Sequence, residues 1–180
     1  MDYEFFMSKA LEEARQALSM GEFPVGCVIV YENGVLVTGT RHDSGPDNQN
    51  ELDHAEMLAL RRLVNIDEEI DREKVTLFST LEPCLMCYTA IIVNGIRRIV
   101  YAYEDVMGGG TNIDLKRLNP FYRDMKITVI RHVLRQESLK LIKEFFSDPQ
   151  RDYLKGSLLA QYTLNQLPVE PVEPVSPLAR

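Results

Sequence analysis

Basic charge is outweighed in this chain. Among 180 residues, 20 Lys and Arg face 27 Asp and Glu, a formal charge of −7. Phosphate neutralisation needs clustered Lys and Arg, so the acidic balance argues against nucleic acid as a default partner. Also missing is any uninterrupted apolar run near the ~18 residues that span a bilayer, and no membrane partner is expected. The start, Met1-Asp2-Tyr3-Glu4, carries neither the basic stretch nor the apolar core of a secretory signal. A cytoplasmic location is the expectation. Three cysteines are too few and too oddly numbered for a disulfide framework. Two of them stand as Cys84-Leu-Met-Cys87, a spacing that in a cytosolic chain reads as metal or redox chemistry. Internal repeats are absent as well.

What is present suits one folded domain: 45% of residues are apolar and 26% charged. A chain of this length buries roughly two-thirds or more of its unfolded surface. Apolar residues at helical spacing over 4–20, stopped by Gly21, predict a first helix. Cys27 to Val30 reads as a strand, and Glu32-Asn33-Gly34 turns the chain into a return strand over Val35 to Thr40. The polar stretch from His42 to Asp53 is a loop. A helix from His54 to about Leu63, a strand over Lys74 to Ser79 and a buried helix from Cys84 to about Asn94 follow. Strands over Ile96 to Ala102 and Lys126 to Arg131 precede helices over Glu137 to Phe146 and Arg151 to Leu164. A hairpin followed by alternating units implies an α/β fold, a five-stranded mixed sheet with helices on both faces. Residues 1–166 form one domain. Residues 167–180, with Pro168, Pro171, Pro174 and Pro177 at every third position, read as an extended tail, disordered or a recruitment motif.

Two fragments carry chemistry: His54-Ala55-Glu56, and Pro83-Cys84-Leu85-Met86-Cys87. Each falls where a loop enters a helix. Zinc accepts imidazole nitrogen and thiolate sulfur, and a catalytic site keeps one position open beside three protein ligands. His54, Cys84 and Cys87 supply three. The positive end of a helix favours thiolate and disfavours imidazolium, keeping each group in its ligating form. Residues two apart on a regular helix point about 200° from one another, so His54 and Glu56 converge only if His54 sits at an irregular first turn. Glu56 has the properties of a proton shuttle. Asp53 either caps the helix or orients the free nitrogen of His54. Cys27 reads as a small core residue and His132 as structural; His42 lies in the loop leading to the site.

His54-Ala-Glu56 followed by Pro83-Cys84-x-x-Cys87 resembles the signature of the zinc-dependent cytidine-deaminase superfamily. Gly21-Glu22-Phe23-Pro24-Val25-Gly26 and Thr80-Leu81-Glu82-Pro83-Cys84 are similar to its branch of tRNA adenosine, guanine and fungal cytosine deaminases. The resemblance runs from about residue 4 to residue 131. It implies a three-layer α-β-α fold, a homodimer, one Zn2+ per chain held by His54, Cys84 and Cys87, and Glu56 as the catalytic proton carrier. By the same resemblance the backbone amide of Ala55 holds a ring substituent of the substrate. Arg41, His42 and Asp105 are candidate substrate contacts.

The departures bear on substrate. Relatives acting on tRNA or purines place an Asn shortly after the second strand, where this chain has Gly39-Thr40-Arg41-His42, with Asn48 and Asn50 further on. Glu104 and Met107 stand where the tRNA enzyme has basic residues, and a carboxylate there would repel a phosphate backbone. These details favour hydrolytic deamination of a small nucleobase or nucleoside. Adenosine in a tRNA anticodon loop is the alternative, and a catalytically inactive, zinc-stabilised interaction module is a reading from another class.

Overall fold

The computed structural model describes residues 1–45, 50–66 and 69–167. The proline-rich stretch from Pro168 onward and Asn48 lie outside them. Helix α1 (Tyr3–Ser19) leads into a hairpin, β1 (Gly26–Tyr31) and β2 (Gly34–Thr40), whose turn uses left-handed Glu32 and Asn33. Then come α2 (Ala55–Val64), β3 (Thr76–Leu81), α3 (Leu85–Val93) and β4 (Arg98–Tyr103). A short α4 (Pro120–Arg123), β5 (Thr128–Ile130), α5 (Arg135–Ser147) and α6 (Leu158–Leu164) complete the chain.

The five strands form one mixed sheet in the order β2-β1-β3-β4-β5. β1 pairs antiparallel with β2 and β3; β3–β4 and β4–β5 are parallel. Alternation sorts the strand residues between two cores. Val28, Val30, Phe78 and Val100 meet Phe6, Met7, Ala10 and Leu11 of α1. Cys27, Ile29, Leu77 and Ile99 meet Ala55, Ala59 and Leu63 of α2 and Ile91 and Ile92 of α3. The sheet is therefore buried on both faces, the three-layer α-β-α arrangement expected. Cys27 is fully buried, as a small core residue should be.

The last helix departs from expectation. Residues 151–157 are not helical, with a turn over 153–156 that puts Leu154 and Gly156 at positive φ, and α6 begins only where the Ser157 hydroxyl accepts the Ala160 N–H at 3.1 Å. Apolar spacing over 151–164 concealed this break. The turn brings Tyr153 and Leu154 to the lining of the cavity over the start of α2.

Candidate metal centre and pocket

His54 and Cys84 are the N-cap residues of α2 and α3, both with extended backbones and neither making a side-chain cap bond. An N-cap side chain ordinarily folds back onto the helix amides; here both reach across to each other. His54 Nδ1 lies 3.6 Å from Cys84 Sγ and 3.5 Å from Cys87 Sγ. The three donor atoms all fall within 4.8 Å of one another, a grouping that could hold a metal ion. The N-cap conformation also resolves the angular problem of His54 and Glu56. His54 is outside the helix, and Glu56 enters the core beside it, only 3% exposed.

Two glycines make this packing possible. A Cβ on Gly39 of β2 would lie 2.0 Å from the Ala55 carbonyl oxygen, so the start of α2 can press on the strand only where no side chain intervenes. A Cβ on Gly110 would lie 2.6 Å from Leu85 Cα. The Gly110 N–H instead donates to the Pro83 carbonyl at 2.9 Å, tying the loop after β4 to the start of α3.

Electrostatics divide the thiols. The Cys87 thiol, donating to Cys84, holds Cys84 down at about 4 against the cost of burial and with help from His54. Cys87 is pushed up by that same bond and by burial. Burial opposes protonation of His54, but the Cys84 thiolate and Glu56 outweigh it and the imidazole titrates above its ordinary value. Burial raises the Glu56 carboxyl, with His54 and Ser79 pulling the other way. Ser79 Oγ donates to Glu56 Oε1 at 2.9 Å, leaving Oε2 directed at Cys87, 3.6 Å away.

A cavity of about 190 Å³ opens over these groups, lined by His54, Ala55, Glu56, Cys84, Asp105 and Tyr153 among others. A dry cavity of ~150 Å³ takes benzene, so this one has room for a planar heterocycle somewhat larger than one ring. Arg41 lies in its wall, fully buried, donating to the Asn50 carbonyl at 2.7 Å. Asp105 lines it too, but one carboxylate oxygen is spent on the Met107 and Gly108 amides at 2.9 Å each. His42 is not among the lining residues; its ring sits 2.9 Å from Asp43. Asp53 neither caps α2 nor faces His54. It accepts from Arg61 and from Asn50 Nδ2. Sequence reasoning missed Glu82, buried in the cavity wall, which accepts from Thr111 Oγ1 and from the Asp105 N–H at 3.3 Å.

A family model, the cytidine and deoxycytidylate deaminase zinc-binding region, matches residues 1–103. The chain belongs to this family. Curated relatives include the tRNA-specific adenosine deaminase of Rickettsia typhi, 31% identical over 140 residues, 78% of this chain and 95% of that one. The enzyme of the same name from Buchnera aphidicola is 31% identical over 151 residues, 80% and 93% of the two chains. A solved structure from work on A-to-I editing by tRNA:A34 deaminases aligns with a TM-score of 0.62 at 28% identity, covering 76% of this chain and 98% of that one. Guanine deaminase from Nitrosomonas europaea, at 22% identity and TM-score 0.59 over 79% of this chain and 83% of that one, shares the fold. The protein is thus an enzyme, a hydrolytic deaminase, with zinc as its cofactor; the imidazole and two thiols fit that metal.

The preference for a small nucleobase or nucleoside over tRNA is overturned, because the curated relatives are tRNA-specific adenosine deaminases. Its physical premise also fails. Glu104 is no free carboxylate facing a backbone: it accepts from Arg135 Nε at 2.8 Å, from Arg135 Nη2, and from Tyr162 O–H at 2.7 Å.

Proposed function

We propose that this enzyme converts adenosine to inosine in a tRNA anticodon loop. The observation that carries the reading is the 31% identity to tRNA-specific adenosine deaminases across 93–95% of their length. Local charge supports it. Between Thr111 and Arg131 the exposed residues Lys116, Arg117, Arg123, Lys126 and Arg131 face only Asp114 and Asp124, a basic stretch within an acidic chain. Phe121 stands 62% exposed among them, a ring on which a base could stack.

In this reading His54, Cys84 and Cys87 hold the zinc. When bound, the metal supplies Lewis acidity that brings the pKa of a water to about 7. Glu56 Oε2 takes the proton released as oxygen attacks C6 of adenine and passes it to N1, the ring nitrogen beside that carbon. The same carboxyl then carries a proton to the exocyclic amine, so adenosine and water become inosine and ammonia. Ser79 keeps the carboxylate turned toward that path. The first N–H groups of a helix lack intrahelical partners, which leaves the Ala55 amide available to a polar atom of the base. Arg41 and Asp105 shape the wall.

The finer proposals extend to location and assembly. The described residues contain no helix long and apolar enough to cross a membrane, in keeping with a cytoplasmic enzyme. Leu85 and Val93 of α3 are about half exposed, at 51% and 50%, an apolar face that a second copy would cover in a homodimer; sedimentation velocity measures it. The function itself is tested by mapping inosine in an adenosine-containing tRNA after incubation with the purified zinc enzyme, Glu56→Ala serving as the blank. Inosine in the anticodon loop is expected, and its absence would overturn the reading.

A further inference from the structure

The outward nitrogen of His54 faces a carboxylate that the sequence motif does not contain. Glu51, three residues before His54 on the approach to α2, places Oε2 3.5 Å from His54 Nε2. The same oxygen accepts from Tyr153 O–H at 3.0 Å and lies 3.6 Å from Arg41 Nη2. The Arg41 side chain is only 2% exposed, and its guanidinium sits 5.6 Å from the centre of the Tyr153 ring. A buried guanidinium is costly unless hydrogen bonds and a nearby anion compensate its charge. Among the described residues Glu51 is the one that forms an ion pair with it. Asp53, adjacent to His54 in sequence, is engaged by Arg61 and Asn50.

We infer that Glu51 is a positioning residue for the metal centre, accepting the His54 Nε2–H so that Nδ1 stays turned toward Cys84 and Cys87, while Arg41 and Tyr153 hold the carboxylate in place. This rests on the reading of His54 as a zinc ligand. A metal-bound histidine donates its second ring N–H to a carboxylate, carbonyl or water, which fixes the tautomer and orients the ring; removing such a partner costs about 10–100-fold in metal affinity or activity. Tyr153 lies 102 residues beyond Glu51, on the turn that precedes α6. The contact therefore makes the C-terminal segment part of the metal centre's support as well as part of the cavity wall.

The test uses the full chain and reads the metal directly. Zinc affinity would be measured by competition with a chromophoric chelator, and ligand geometry by the visible spectrum of the cobalt-substituted protein. The variants are His54→Ala, Glu51→Ala, Glu51→Gln and Tyr153→Phe, each checked for folding by circular dichroism. His54→Ala should lose the site altogether. Glu51→Ala should bind zinc about 10–100-fold more weakly and shift the cobalt bands. Glu51→Gln, which keeps an acceptor oxygen, should lose less. Tyr153→Phe should weaken binding in the wild-type background but not in Glu51→Ala. Loss of zinc in His54→Ala with unchanged affinity and spectrum in Glu51→Ala would overturn the role of Glu51 and leave the ligand reading standing. Full zinc retention in His54→Ala would overturn the ligand reading, and the inference with it.

Discussion

Glu56 is a carboxyl that burial pushes toward the neutral form while Ser79 and His54 favour the ion, the balance a group needs if it is to carry a proton both ways. Glu56→Ala should reduce deamination by about 10²–10⁴-fold while leaving one zinc per chain; single-turnover assays together with metal analysis check both halves. The residues of this centre were largely legible, because the His-Ala-Glu and Pro-Cys-x-x-Cys spacings place donors at helix starts whatever the surrounding loops do. Asp53 and Glu51 show where legibility stops. Either carboxylate could serve His54 on spacing alone, and the choice is made by Arg61 and Asn50, which claim Asp53. Glu82, quoted only as part of a motif, was not singled out for a similar reason, since its place depends on Thr111, 29 residues further along.

Elements hold these residues by close approach and by caps. Gly39 lets α2 sit against β2, and Gly39→Ala should cost about 2–3 kcal/mol, because a new methyl has no room beside the Ala55 carbonyl. Denaturant unfolding measures it. Helix α6 is fastened to β4 and α5 by Glu104, through Arg135 and Tyr162. Burial works to raise the Glu104 carboxyl, but those hydrogen bonds outweigh it and hold it at about 2. A carboxyl depressed on folding contributes stability above its unfolded pKa and loses it as pH falls toward the folded value. The wild type should therefore lose on the order of 2–3 kcal/mol more than Glu104→Gln between pH 5 and pH 2, read from paired unfolding curves. Strands and most helices followed from periodicity. The turn at 153–156 did not, because left-handed Leu154 and the Ser157 cap break a helix that apolar spacing alone would continue.

At the scale of the whole molecule, net charge was a poor guide to substrate, since the curated relatives are tRNA-specific adenosine deaminases. A total of −7 describes the average surface, whereas a polyanion meets a face. Treating Glu104 as a free acid compounded the error, since its charge is already matched by Arg135. If the stretch from Lys116 to Arg131 meets the phosphate backbone, Lys116→Ala and Arg117→Ala should raise KM for tRNA with little change in kcat. Each should also lower the slope of log affinity against log salt by about 1. Filter binding across a salt series is the check. The most direct measurement compares kcat/KM for an adenosine-containing anticodon stem-loop with that for free adenosine, guanine and cytosine, all with the zinc-loaded protein. The account predicts inosine in the stem-loop and turnover of the free compounds lower by orders of magnitude. Turnover of a free base or nucleoside at a rate matching or exceeding that of the stem-loop would contradict it.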